Sequence, residues 1–288
     1  MGMQINTNTL ANNAYRNLND TQNAVSRSME KLSSGLRINR AADDAAGLTI
    51  SEGLKSQVNG SAVAARNAQD GISVIQTTEG ALTEVHSILQ RMRDLAVQGA
   101  SDTTVGSARA AIKKEGDALG QELNRLITGT NFNGTKLLDG TAGTAGTIKI
   151  QVGTGSGAAD SIDVRLTNTA TSVNAAAGAE LSDPAAAAGF DMASQVTAQA
   201  TIGRIDAAIA NVSAQRSDLG ATQNRLEHAT KTLHVSGENL SAAASRITDT
   251  DMASEMVKFT KANIMAQAGT AMLAQANQSG QGVLSLLR

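Results

Sequence analysis

Mostly apolar residues recur alternately four and three positions apart in the first part of the chain. This is the spacing of helices that pack along a coiled-coil seam. In the first segment these positions are Ala11, Tyr15, Leu18, Gln22, Val25, Met29, Leu32 and Leu36. In a second segment, from about 61 to 98, they are Ile75, Thr78, Leu82, Val85, Leu89, Met92 and Ala96. A parallel stripe on the second segment consists of Val74, Ala81, Ile88 and Leu95. The spacing predicts two long helices, the second contacting more than one neighbour.

A third helix is predicted after the turn at 99–106, and then the period changes from that of a helix to that of a strand. The third helix has apolar or small positions at Ile112, Gly116, Leu119, Leu123 and Leu126. Strict alternation follows, with Ile148, Ile150 and Val152 on one segment and Ile162, Val164 and Leu166 on the next. Because a glycine-rich turn separates the two segments, we predict one β-hairpin at 147–166.

Beyond the hairpin, residues 167–200 form an Ala-, Ser-, Thr- and Gly-rich segment without a clear period, which we interpret as a variable surface linker. The clearest helix comes next, over about 201–244. Its apolar residues recur every seven positions, at Ile205, Val212, Leu219, Leu226, Leu233 and Leu240. A final helix, capped by Thr248 or Asp249, is predicted to reach the C-terminus.

Both ends of the chain lack charge, since no Asp, Glu, Lys or Arg occurs in 1–15 or in 262–287. A single antiparallel pair of terminal helices leaves most of its surface exposed to water, so we expect other molecules to cover these uncharged ends. Many copies related by one rotation and rise would supply them in an open helical assembly. The residues expected to pack in its core are Leu18, Val25, Met29, Leu32, Met256, Ile264, Met272, Val283, Leu284, Leu286 and Leu287.

The predicted fold is mainly α, a long antiparallel helical bundle or coiled coil with one small β-hairpin. The terminal helices, 1–45 plus 247–288, are predicted to form a separate inner coiled-coil layer. An outer helical domain then comprises 46–166 plus 201–246, with the hairpin at 147–166 and the linker at 167–200. A single proline and 1% aromatic residues agree with long, closely packed helices.

Composition excludes several classes of function. A net charge of -2 gives no basic surface for nucleic acid, and the amides within the uncharged C-terminal segment argue against membrane insertion. The N-terminal residues lack the basic and apolar pattern of a secretory signal. His86, His228 and His234 lack zinc-site spacing, and the glycine-rich 153–158 precedes no helix, so we expect no catalytic, cofactor-binding or metal site and no cofactor. The chain is therefore expected not to be an enzyme.

Four charged residues lie together at the predicted junction between the two helical layers: Arg37, Arg40, Asp43 and Asp44. One interpretation is a solvated cluster in which Asp43 or Asp44 caps the following helix. The other is a set of ion pairs between layers and between copies, which would set register more than strength, because exposed pairs stabilise by only about 0–1 kcal/mol.

The chain resembles bacterial flagellin. The motifs that carry the resemblance are INTNTLANNAYRNLN, LSSGLRINRAADDAAGL and LQRMRDLAVQ near the N-terminus and AQAGTAMLAQANQ and VLSLLR at the C-terminus. It implies a short form without large outer domains, which polymerises into an extracellular filament for swimming. It also implies export of the unfolded chain through the flagellar type III apparatus. The partners implied are an export chaperone, the cap and hook-associated proteins.

The resemblance also implies a possible partner outside the bacterium. In flagellins that a vertebrate Toll-like receptor detects, recognition falls on the helix that here carries 90–97. The candidate contacts are Gln90, Arg91 and Leu95, with Glu115 on the next helix. A flagellar hook-associated junction protein is the nearest alternative, and a coiled-coil adaptor is a second one.

Overall fold

The computed structural model describes residues 8–171, 173 and 190–286, with side chains as far as 278. Five long helices occupy most of this part of the chain. They are α1 (Thr9–Ser34), α2 (Ala45–Gly99), α3 (Gly106–Gly129), α4 (Gln195–Thr248) and α5 (Met252–Leu286). The chain divides into two units. Unit 1 comprises 1–58 and 238–288, and unit 2 comprises 59–237. The boundaries lie within α2 and α4, and not at the predicted positions 45/46 and 246/247.

Unit 1 contains α1 and α5, which pack against each other in antiparallel orientation. Asn8 begins α1, accepting a hydrogen bond from Ala11 N and donating one to Ala276 O. At the opposite end Ser28 donates to Glu255. Gly35 ends α1 with a positive φ of 73°, a conformation that glycine adopts without strain, and its N–H bonds to Lys31 O.

The seam of α1 differs from the predicted one. Half-buried or buried residues recur at Ala11, Ala14, Leu18, Thr21, Val25, Ser28 and Leu32. Tyr15 and Met29 are 55% and 54% exposed, so their placement on an intrachain seam is wrong. The seam uses small residues, which let the two helices approach closely. The larger side chains next to them therefore point away from α5.

Unit 2 holds the hydrophobic core, and its heptads lie where the spacing predicted them. Ile75, Leu82, Val85, Leu89 and Met92 on α2 are all fully buried. They pack with buried residues of α3, of α4 and of the hairpin. The apolar spacing of α2 therefore corresponds to a real packing surface.

The β-hairpin has the predicted register. Its strands, β3 (Thr147–Gln151) and β4 (Ser161–Arg165), are antiparallel with Ile148 opposite Val164 and Ile150 opposite Ile162. A smaller hairpin pairs β1 (Asn131–Phe132) with β2 (Thr135–Lys136). Its turn residues Asn133 and Gly134 both have positive φ, the geometry that an Asn-Gly turn favours.

The interpretation of 167–200 as a surface linker is wrong at both of its ends. Thr169 and Val173 are buried, and so are Phe190 and Met192. The Phe190 ring fills the space left by Gly116, where a Cβ would lie 2.1 Å from the ring. Residues 174–189 lie outside the described part of the chain.

Candidate functional surfaces

The outward face of α5 carries several large apolar side chains that are exposed on the single chain. Met256, Val257, Ile264, Met265 and Met272 are between 50% and 69% exposed. Four of these residues, Met256, Val257, Ile264 and Met265, line a shallow groove along the helix together with Thr260 and Lys261. Large exposed apolar patches mark interaction sites in soluble proteins, so this face is a candidate for contact with another molecule.

The predicted core-packing residues fall into three groups. Leu18, Val25 and Leu32 lie half-buried on the seam of α1. Met29, Met256, Ile264 and Met272 are exposed on the single chain. The side chains of Val283, Leu284, Leu286 and Leu287 lie outside the described residues.

Two of the four junction residues bond to neighbours in their own unit. The Arg40 guanidinium donates to Glu30 Oε1 over 2.9 Å. The Asp43 carboxylate accepts backbone N–H groups of Arg40 and Asn39 at 3.0 and 3.2 Å. Both hydrogen bonds lower the pKa of Asp43 below its ordinary value, and the bond from Arg40 N has the larger effect.

The other two junction residues also have partners within unit 1. Asp44 accepts a hydrogen bond from Gly47 N over 2.8 Å and so caps the start of α2, as one of the two interpretations predicted. Arg37 donates to Ile247 O over 2.7 Å and lies 4.0 Å from Asp44. The capping interpretation of the cluster is favoured, and ion pairs between copies stay a prediction.

The residues proposed for receptor contact separate into an exposed set and a buried one. Arg91 donates from Nε and Nη2 to Glu115 Oε1 over 3.0 and 2.6 Å, which joins α2 to α3 at an exposed position. Gln90 lies beside His86, 2.9 Å from its Nε2. Leu95, in contrast, is 2% exposed in the core of unit 2. Its side chain packs inward on the single chain, and its role in receptor contact stays a prediction.

Two further ion pairs between helices were not identified from the sequence. Arg93 Nε donates to Asp206 Oδ1 over 2.5 Å, and Arg216 Nη2 donates to Glu79 Oε1 over 2.9 Å. Both pairs join α2 to α4 within unit 2. Each joins residues more than a hundred positions apart, so no local pattern pointed to them.

Among the described residues, no cluster of three or more His, Cys, Asp or Glu side chains could hold a metal ion. Within the same residues, no helix is both long and apolar enough to cross a lipid bilayer.

The fold defines a mainly helical protein with an exposed apolar face on α5. Comparison with known proteins gives the family. The model of the bacterial flagellin N-terminal helical region matches residues 5–143, and that of the C-terminal helical region matches residues 202–287. The chain belongs to the bacterial flagellin family, and it is a structural subunit of the flagellar filament.

Individual relatives agree with this assignment. The chain is 51% identical to a flagellin of Halalkalibacterium halodurans, over 99% of this chain and all of that protein. It is 46% identical to a Bacillus subtilis flagellin over the same shares of the two chains. A putative flagellar hook-associated protein of Vibrio parahaemolyticus has a similar fold, with a TM-score of 0.57 over 72% of this chain and all of that one. At 17% identity this last likeness concerns the fold alone, so the hook-associated alternative is the less supported.

Proposed function

We propose that copies of the chain polymerise through the outward face of α5, which neighbouring copies cover in the filament. The observation that carries the proposal is the exposure of Met256, Val257, Ile264, Met265 and Met272 on one helix. Full burial of a large apolar side chain contributes about 1.5–3 kcal/mol, and half-exposed side chains contribute a fraction of that. The contribution recurs at every copy, so modest contacts give a stable polymer.

The outward side of α1 supports the same proposal. Leu10, Tyr15 and Met29 are 68%, 55% and 54% exposed. Residues 1–15 and 262–287 contain no charged side chain. Neighbouring copies can therefore approach these segments without removing a charge from water, a step that costs several kcal/mol per ion.

The family relationship supports further partners for the same helix. We infer that the chain is exported unfolded through the flagellar type III apparatus and that a dedicated chaperone holds its C-terminal segment. An exposed apolar helix promotes aggregation before assembly, which is the physical reason for such a chaperone. Cap and hook-associated proteins are the expected neighbours at the two ends of the filament, outside the cell.

We infer a receptor surface at Gln90, Arg91 and Glu115 by the same resemblance. The Arg91 and Glu115 side chains are 56% and 47% exposed, so a partner can reach the pair from solvent. Val97 is 49% exposed, whereas Leu95 is buried. Val97 is therefore the apolar residue of this stretch that a Toll-like receptor would contact.

Two exposed valines give a matched test of polymerisation. Val257 on α5 is 69% exposed and Val196 on α4 is 72% exposed. Val257→Asp would bring a carboxylate into a covered apolar contact, where its removal from water is costly even with Lys261 one turn away. We expect it to lower filament yield about tenfold or more, measured by sedimentation and negative-stain microscopy.

Val196→Asp is the control and should polymerise like the parent chain. Circular dichroism of the soluble proteins should be the same for both variants. Equal filament yields from Val257→Asp and Val196→Asp would contradict the proposed surface.

A further inference from the structure

Methionine is the only sulfur-containing residue of the chain, which has nine methionines and no cysteine. Met1 and Met3 lie outside the described residues. Two of the others, Met92 and Met192, belong to unit 2 and are 0% and 2% exposed. The remaining five belong to unit 1 and are between 47% and 65% exposed. These surface methionines are Met29, Met252, Met256, Met265 and Met272. Every exposed thioether of the described residues therefore lies in unit 1.

Three of the surface methionines lie on the outward face of α5, through which we propose that copies polymerise. Met256 and Met265 line the shallow groove together with Val257 and Ile264. Met272 lies one heptad beyond Met265 and is 65% exposed. A chemical change at these sulfur atoms would alter the proposed contact surface, so the inference rests on the proposed function.

The two methionines of unit 2 are shielded by packing. A Cβ added at Gly99 would lie 2.6 Å from Met192 Sδ, so this sulfur lies against α2. Met92 belongs to the same hydrophobic core as Leu89 and Leu123. A dissolved oxidant reaches exposed side chains first, so the two sets of methionines should react at different rates in the folded chain.

Hydrogen peroxide oxidises a thioether by transfer of one oxygen atom. A lone pair of the sulfur attacks one peroxide oxygen, an S–O bond forms and the O–O bond breaks. The sulfur loses two electrons. The second peroxide oxygen takes these electrons and the proton of the first oxygen, and it leaves as water. The product is a sulfoxide, which is polar where the thioether was apolar.

We propose that the surface methionines are an oxidation site at which peroxides block polymerisation of the soluble chain. A sulfoxide on α5 would lose its bound water when another copy covers the helix, and removing a polar group from water is unfavourable. Lys261 also lines the groove and can donate to a sulfoxide there. A sulfoxide at Met272 lies about 16 Å further along the helix, beyond the reach of that side chain.

Assembly should protect the same sulfur atoms. When neighbouring copies cover α5, dissolved peroxide no longer reaches the thioethers. Oxidation would therefore act on the soluble chain and spare the chains already in the filament. The modification would also be reversible, because methionine sulfoxide reductases restore the thioether with a thiol as reductant.

Leucine substitution gives a matched pair of variants for the test. Leucine is apolar and close to methionine in volume, so the exchange is well tolerated, and peroxide does not oxidise it. The first variant has leucine at all five surface methionines. The second, its control, combines Met92→Leu with Met192→Leu. Each soluble full-length chain is treated with hydrogen peroxide, freed of the reagent and polymerised, and mass spectrometry locates the sulfoxides.

Peroxide should raise the concentration that the parent chain needs for polymerisation by about tenfold or more, measured by sedimentation. Sulfoxides should form at the surface methionines, and the circular dichroism of the soluble chain should stay unchanged. The control should be as sensitive as the parent. The variant with five leucines should change by about twofold or less. Reductases for both sulfoxide epimers should restore polymerisation of the oxidised parent, an arm that needs no substitution.

Normal polymerisation of a parent chain whose surface methionines are fully oxidised would overturn the proposal. Full peroxide sensitivity in the variant with five leucines would overturn it too, and so would a parent that stays unable to polymerise after its thioethers are restored. If Val257→Asp impairs polymerisation and oxidation does not, the oxidation site alone is refuted. If neither impairs it, the proposed surface of α5 is refuted as well.

Discussion

The α1–α5 pair of unit 1 and the core of unit 2 use similar apolar residues in opposite ways. In unit 2, Leu82, Leu89 and Met92 are fully buried by other residues of the same chain. In unit 1, Ile264 and Met272 are 61% and 65% exposed. Hydrophobic burial stabilises unit 2 within one chain, whereas unit 1 leaves large apolar side chains exposed to solvent. Under the proposed function, other copies cover the apolar surface that unit 1 leaves exposed.

Truncation in the unit 2 core should have the largest effect. Leu89→Ala removes buried methyl groups from a filled core, so it should lower the free energy of unfolding by about 2–5 kcal/mol. Denaturant titration of the soluble chain, followed by circular dichroism, measures the loss. A change below about 0.5 kcal/mol would show that this core is not the source of stability.

Met272→Ala is the matched change in unit 1. It should alter the free energy of unfolding of the soluble chain by about 0.5 kcal/mol or less, because little of this side chain is buried. It should raise the concentration needed for polymerisation several-fold, which corresponds to a loss of about 1 kcal/mol of contact free energy per copy. A variant with lower stability and unchanged polymerisation would reverse the roles assigned to the two units.

The Arg216–Glu79 ion pair should have a smaller effect on unit 2. The two side chains are 33% and 36% exposed, so solvent partly screens their attraction. Arg216→Ala should cost about 1 kcal/mol in unfolding free energy. Arg225→Ala serves as the control, because Arg225 is exposed on the same helix and takes part in none of the ion pairs among the described residues. Equal losses from both variants would argue against a stabilising pair.

Acid should weaken unit 1 through Glu255, and this is the smallest effect expected. The hydrogen bond from Ser28 and then the Lys258 ammonium lower the pKa of Glu255 below its ordinary value of 4.5. The unfolded chain therefore binds a proton more readily than the folded chain. The stabilisation is complete above pH 4.5 and is lost as the pH falls through the lowered value. Glu255→Gln should flatten this acid loss in a thermal-melting series, and an unchanged pH profile would contradict the assignment.

Much of the fold could be predicted from the sequence because burial follows periodicity there. Ile75, Leu82 and Leu89 lie on a strict heptad, and the hairpin strands alternate in register. The seam of α1 was harder to predict, because Ala, Ser and Thr occupy four of its seven positions. Larger apolar residues such as Tyr15 and Met29 lie beside it and face outward.

Of the remaining features, some had a signal in the sequence and others had none. Leu95 lies on the same stripe as Val74, which is a core position, so its burial was already indicated by the pattern. Asn133-Gly134 is a turn signal for the small hairpin. Phe190 and Met192 follow no period, and the glycines that they pack against, Gly116 on α3 and Gly99 on α2, are distant in sequence. The contacts of Arg93 and Arg216 depend on how the helices pack, which a local pattern does not contain.

Hydrogen–deuterium exchange, read by mass spectrometry on the soluble chain and on the filament, tests the contrast between the units most directly. Amides of α5 from 256 to 272 should gain about a hundredfold or more in protection on polymerisation, because copies cover that helix only in the filament. Amides of α2 from 75 to 92 should exchange at similar rates in both states. Equal protection of α5 in the soluble chain and the filament would contradict the account.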